Sequence, residues 1–194
     1  MSAFYRLNTE GDLNDDKLAL IEDYVSGLEM KDWKTKFGKS AAKDWPNDAT
    51  IKLRKTSGRK LTDLFSNIKN NLIVSKRLHD LLADQCKSAE VEYLPVRIHD
   101  HRERLLSDEY VIVNPIGTFD CLDLEASDVL RDKDDAAKIL AVNEIVLSAK
   151  KVQHAPPIFR IREKPASYIV SRIVATAISD GGFSNVRWQA LEPK

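Results

Sequence analysis

Seven carboxylates lie between Asp120 and Asp135: Asp120, Asp123, Glu125, Asp128, Asp132, Asp134 and Asp135. Two kinds of chemistry suit such a run. Acid/base hydrolysis needs a concave pocket holding at least two carboxyls with raised pKa values. A negative face instead suits a basic protein partner, for example an enzyme whose cleft binds nucleic acid, because complementary potentials speed encounter and select partners. Charge by segment favours the second reading. Residues 105–149 carry ten acidic and three basic side chains, net −7, between segments 51–104 and 150–194, each at +5. The plain alternative is a pair of solvated faces; if the run instead presents a negative face to a partner, the seven carboxylates are the candidate partner-binding residues.

The remaining reactive side chains point away from catalysis. His99 and His101 flank Asp100 and on a strand would share a face, as a metal site requires. Arg97, Arg102 and Arg104 put positive charge where a cation would sit, so a solvated turn is the better reading and no metal is assigned. Ser75 and Ser171 lie outside any Gly-x-Ser-x-Gly elbow and suit helix capping. Gly181-Gly182 follows a helical pattern rather than opening one, which makes it a terminator and not a phosphate cradle. No catalytic residue and no cofactor is assigned.

The elements that position these residues are read from an internal repeat. Ile73-Val74-Ser75-Lys76 recurs as Ile169-Val170-Ser171-Arg172. At three, six and seven residues beyond each serine stand Leu78, Leu81 and Leu82 in one copy, and Val174, Ala177 and Ile178 in the other, giving one buried helical stripe each. Strand-like runs follow, Val91-Glu92-Tyr93 and Val186-Arg187-Trp188. The unit is strand, capped helix, strand.

Around the repeat the pattern predicts a strand over Phe4–Leu7 and a helix from about Asp15 to Leu28, whose Leu18, Ile21, Val25 and Leu28 recur at helical intervals. The Lys-rich segment from Glu29 to Asn47 reads as a loop pinned to the core by Trp33 and Trp45, with partner binding as the alternative role for these tryptophans. Thr50–Arg54 alternates as a strand. Val91–His99 is a strand that Pro95 confines to an edge or a bulge, and it pairs with Tyr110–Val113 in a hairpin running from Tyr93 to Val113. Further strands are expected over Phe119–Ser127 and Ile158–Ile161, with a turn at Arg131–Asp135; over Ile139–Val152 the spacing of Val142, Ile145 and Val146 fits a helix, while the β-branched run Glu144-Ile145-Val146-Leu147 favours a strand, which is the reading preferred.

Bulk composition limits the rest. A formal charge of zero speaks against a dedicated nucleic-acid binder, whose affinity rests on a basic surface. The two cysteines, Cys86 and Cys121, form no Cys-x-x-Cys pair, and no secretory segment is evident at the amino terminus. A reduced, cytoplasmic protein without a disulfide is expected. No apolar run approaches the roughly 20 residues that span a bilayer, so no membrane partner is expected.

In order, Trp33 to Gly38, Asp63-Leu64-Phe65, Leu72-Ile73-Val74-Ser75, Tyr93-Leu94-Pro95-Val96, Tyr110 to Asn114, Asp120-Cys121-Leu122-Asp123 with Ser127, Ile158-Phe159-Arg160 and Ile169-Val170-Ser171 resemble a family of bacterial immunity proteins. That family was formerly a domain of unknown function, is typified by a myxobacterial protein, and belongs to polymorphic toxin systems. The resemblance runs from about Trp33 to the carboxyl terminus. It implies a protein that binds and neutralises a cognate toxin, expected to be the product of a neighbouring gene, and it carries over no catalytic residues.

The expectation is an α+β fold, largely antiparallel sheet with a few packed helices and the repeated strand-helix-strand unit. Residues 1–194 are expected to form one immunity-type domain, with 1–49 as its N-terminal portion and 50–194 as the repeat-containing core. The expected function is occlusion of a toxin's active site. The alternatives are a small hydrolase using the acidic cluster and a nucleic-acid-binding module using the basic 51–104 segment.

Overall fold

The computed structural model describes residues 3–9 and 15–194. The sequence repeat is a repeat in space. In its first copy β4 (Leu72–Ser75) leads into helix α2 (Lys76–Gln85) and then β5 (Val91–His99). In its second, β10 (Lys164–Ser171) leads into α3 (Arg172–Asp180) and β11 (Val186–Leu191). The serine hydroxyls cap both helices, Ser75 Oγ accepting from the N–H of Leu78 at 3.4 Å and Ser171 Oγ from that of Val174 at 3.5 Å. Gly182, at φ +60°, turns the chain after α3, a conformation that costs glycine little.

Neither unit pairs its own two strands. β6 (Leu105–Pro115) lies between β4 and β5, and β1 (Phe4–Thr9) lies between β10 and β11. Each inserted strand is antiparallel to both neighbours, so the outer two run parallel and a helix makes the crossover. The five-stranded sheet, in the order β2-β5-β6-β4-β3, is completed by β2 (Thr50–Lys52) and β3 (Leu64–Phe65), with β2 parallel to β5. β9 (Ile158–Ile161) closes the four-stranded sheet beside β10.

Side-chain alternation along these strands separates three cores. Val74 and Val170 occupy equivalent repeat positions, and both enter the central core with Leu78 and Leu82 of α2 and Val174 and Ile178 of α3. Their neighbours Ile73 and Ile169 point the other way. Ile73 joins Ile112, Val96 and Ile98 beneath the 19–53 segment. Ile169 joins Phe4, Phe159 and Ile161 beneath the 121–155 segment. The predicted hairpin is present, with Tyr93 opposite Val113. Pro95 sits where β5 has no second strand: its carbonyl accepts from Trp45 Nε1 at 2.8 Å, and a register shift follows at Val96/Ile98. Trp45 thus pins its loop as expected.

Three expected elements differ. Residues 15–28 form no helix. Their buried Ile21, Val25 and Leu28 lie on an irregular strap whose backbone bonds go to other segments, Ala19 N–H to the Lys60 carbonyl, Ile21 N–H to Ser66 and Ser26 N–H to Thr50. Residues 119–127 make only isolated bridges, at Phe119 with Ile161 and at Leu122 with Leu147. Of the 139–152 strand only β8 (Ile139–Val142) forms. It pairs with β7 (Val129–Arg131) in a two-stranded hairpin, and a 3-10 turn covers Lys151–His154.

The sheets are joined by a buried cation. Arg160 on β9 is 1% exposed. Its guanidinium donates to the carbonyls of Pro115 at 3.0 Å, Pro165 at 2.8 Å and Thr35 at 2.6 Å, and to Asn114 Oδ1 and the Tyr168 hydroxyl at 3.1 and 3.0 Å. A longer bond reaches the Lys36 carbonyl at 3.4 Å. Thr35 and Lys36 belong to the one-turn helix α1 (Trp33–Lys36), so Arg160 satisfies carbonyls that a helix end leaves unpaired. Gly38 follows at φ +64°, where a Cβ would stand 2.6 Å from the Gly117 carbonyl and 2.9 Å from Arg160 Cδ. No other residue fits there.

Candidate partner interface

The seven carboxylates do not converge on one pocket. Asp120 lies at the base of the segment, where Lys151 Nζ at 2.8 Å and Arg162 Nη1 at 3.1 Å neutralise it. The Lys151 bond, opposed only by partial burial, holds its carboxyl below the usual range. Asp123 builds a turn, its Oδ1 accepting from the N–H groups of Glu125 and Ala126, each at 3.0 Å. Ser127 fixes that turn by exchanging bonds with the Val146 backbone at 3.1 and 3.2 Å. Glu125 and Asp128 are exposed.

Asp132, Asp134 and Asp135 occupy the tip of the β7–β8 hairpin. Asp132 accepts from the Asp134 N–H at 2.9 Å and pairs with Lys138 at 3.2 Å. The backbone bond and then the lysine lower its pKa. Asp135 accepts from the Ala137 N–H at 3.0 Å, and Asp134 faces solvent. Asp128 at the base and Asp132 at the tip are separated by the three residues of β7, about 10 Å of strand. Between them Leu130 and Leu140 are 56% and 53% exposed. The hairpin is therefore an acidic tip on a shaft with uncovered leucines. The hydrolase reading asks for raised carboxyls, and the shifts of both Asp120 and Asp132 run the opposite way.

The other candidates are structural. Asp100, between His99 and His101, is buried and gathers the β5–β6 turn. It accepts from Arg104 Nε at 2.8 Å and from the N–H groups of Arg102 and Arg104 at 2.8 and 3.0 Å, and it pairs with Arg59 at 3.2 Å. Burial alone would raise its carboxyl, and these donors hold it far below the usual range. Among the described residues no group of His, Cys, Asp and Glu could hold a metal ion. Cys86 and Cys121 are free thiols in different cores.

The basic 51–104 segment is largely neutralised in place. Lys52 pairs with Glu103, Lys60 with Asp15, Lys76 with Asp80, Arg77 with Asp63 and Lys87 with Asp84, while Arg59 and Arg104 share Asp100. Cations engaged in this way offer little to a phosphate backbone.

One surface feature answers to the second choice of the sequence reading, a partner-binding role for the tryptophans, rather than to its first. Met30, Trp33 and Phe37 are 88%, 46% and 44% exposed on and around α1. Trp33 does not pin its loop to the core; Trp45 alone of the two fills that role. The signal available is the spacing of Trp33 and Phe37, one helical turn apart.

The family model described as Immunity protein family (Imm11) covers residues 6–192, and the chain belongs to that family. The match extends the resemblance back from Trp33 into β1. No curated protein matches the sequence. No helix among the described residues is long and apolar enough to cross a membrane.

Proposed function

From this family membership we propose that the protein binds a cognate toxin and neutralises it by covering its active site, with no catalysis of its own. The observation that supports this reading is the β7–β8 hairpin, where Asp132, Asp134 and Asp135 crown a shaft carrying exposed Leu130 and Leu140. An acidic tip on an apolar shaft suits a basic cleft with apolar walls, and its charge would speed encounter.

The test is co-expression with the product of the neighbouring gene. That product should be toxic alone and harmless in a stable complex with this chain. Asp132→Lys, Asp134→Lys and Asp135→Lys together should slow association, by about tenfold or more at low salt, and weaken protection. A toxic neighbour bound and neutralised equally well by this variant, with unchanged salt dependence, would remove the hairpin from the mechanism. A harmless neighbour that forms no complex would remove the toxin.

A further inference from the structure

We propose that β11 is the edge on which a second copy of this chain docks, the two β11 strands pairing antiparallel about a twofold axis at Trp188 to make one continuous sheet. This does not rest on toxin binding.

The bonding pattern of the sheet shows which groups the edge offers. The Arg172 N–H donates to the carbonyl of Ala3, the residue opposite it, at 2.9 Å. Main-chain bonds alternate sides along a strand, so Tyr5 and Leu7 bond to β10, while Phe4, Arg6 and Asn8 bond to Leu191, Gln189 and Arg187 of β11. The N–H and C=O groups of Val186, Trp188 and Ala190 therefore point outward in the plane of the sheet, away from β1. None of them bonds to a described residue.

The fold closes its other edges. In the two larger sheets Phe119 lies along β9, the 20–26 strap along β2, and Ser184 and Asn185 along β3. The repeat sharpens the contrast. With Tyr93 set against Trp188, Pro95 of β5 falls at Ala190 of β11. Pro95 has no N–H to offer, and Trp45 takes its carbonyl at 2.8 Å; both features keep a strand edge from pairing. β11 has neither, and its register with β1 runs unbroken through all 6 of its residues.

The edge is self-complementary, which selects a second copy. A twofold axis normal to the sheet at Trp188 sets Val186 opposite the partner's Ala190 and Trp188 opposite the partner's Trp188, so every outward N–H and C=O finds an acceptor or a donor. Between these pairs Arg187, the only charged side chain of β11, stands opposite the partner's neutral Gln189, and no like charges meet. Trp188 lies on the α3 side, its Nε1 bonded to Ser179 Oγ at 3.1 Å and its ring edge-on to Tyr5. Helix α3 lies over β1 and β10, so its two copies stand at least three strand spacings apart, about 14 Å, and leave room for both indoles. Strands this short bury little area, so the dimer is weak, with a dissociation constant of roughly 10–100 µM.

The experiment is sedimentation equilibrium of the full chain from about 1 to 300 µM, with amide exchange at both ends of that range. Wild type should pass from monomer to dimer. At high concentration the Val186, Trp188 and Ala190 amides should slow about threefold or more, while those of Arg187, Gln189 and Leu191, already bonded to β1, should not change. Ala190→Pro removes an outward N–H without touching a bond to β1 and should stay monomeric throughout. Gln189→Glu sets a carboxylate opposite the partner's Arg187 and should tighten the dimer about threefold. Neither the exchange pattern nor Gln189→Glu depends on the proline variant folding. A chain monomeric at the highest concentration, a dimer that Ala190→Pro leaves intact or Gln189→Glu weakens, or slowing spread evenly over β11 would each overturn the proposal. Loss of toxin binding in Ala190→Pro, with wild type monomeric, would overturn it in favour of a toxin strand. A neighbouring-gene product that proves harmless and unbound leaves the dimer standing.

Discussion

Arg160 Nη2 donates to the carbonyl of Thr35 at 2.6 Å across 125 residues of chain. This bond ties the last β9 side chain but one to a one-turn helix too short to be stable alone, and the same guanidinium reaches Asn114 and Pro115 at the end of β6. A planar fork with five donors in fixed directions is well matched to carbonyls arriving from three segments. Arg160→Met would leave those carbonyls buried and unpaired, at about 1–3 kcal/mol each. We expect a loss of at least about 3 kcal/mol in urea unfolding, and nearly as much for Arg160→Lys, because one ammonium cannot span the set. A loss below about 1 kcal/mol for both would show that the junction is held by packing alone.

Asp63 joins the two repeat units in a similar way. Its carboxylate accepts from Ser75 Oγ at 2.7 Å at the start of α2 and from the Ser184 N–H and Oγ at 2.9 and 2.8 Å beyond α3, and it pairs with Arg77 at 3.0 Å. Burial raises this carboxyl, and the Ser184, Ser75 and Arg77 donors outweigh it, leaving the pKa at about 2. A carboxyl depressed on folding stabilises the native state fully above its unfolded value near 4, and the contribution disappears as pH falls through the folded value. The stability difference between wild type and Asp63→Asn should be about 2 kcal/mol at pH 7, shrink below pH 4 and approach zero near pH 2. A difference that stays constant from pH 7 to pH 2 would separate Asp63 from the acid response.

The parts of the fold legible in the sequence are those with local period. Val74 and Val170, the two capping serines and the Tyr93–Val113 hairpin all follow from spacing within one element. The 15–28 segment also has helical spacing, yet its amides bond to Lys60, Ser66 and Thr50, partners that no local pattern reveals. Arg160 is hidden for the same reason: its acceptors are mostly backbone carbonyls, which carry no sequence signature. The resemblance motifs containing Gly38, Asn114 and Arg160 nonetheless meet at this one junction, so they mark the scaffold rather than the contact surface. At the candidate site the charge is readable, whereas the neutralisation of Asp120 by Lys151 and Arg162 depends on pairings 31 and 42 residues away.

Cys86 and Cys121 should be inert in the native protein. Burial pushes the Cys86 thiol up to about 11 and the Cys121 thiol up to about 12, so almost no thiolate exists at neutral pH. Iodoacetamide at pH 8 should label neither until denaturant unfolds the chain, when both react. Rapid native labelling of one thiol would locate a local opening in its core.

The repeat also predicts an inequality between its two caps. Ser75 and Ser171 hold equivalent positions and each accepts from the amide three residues on, an interaction worth about 1 kcal/mol. Ser75 additionally donates to Asp63 Oδ1 at 2.7 Å, so its removal also takes a charge-assisted bond from a mostly buried carboxylate. Ser171→Ala should therefore cost about 1 kcal/mol and Ser75→Ala about 2 kcal/mol in denaturant unfolding at pH 7. In the Asp63→Asn background the two costs should move towards each other, because the charged acceptor is gone. Equal costs in wild type would mean that the Asp63 bond contributes nothing beyond the cap.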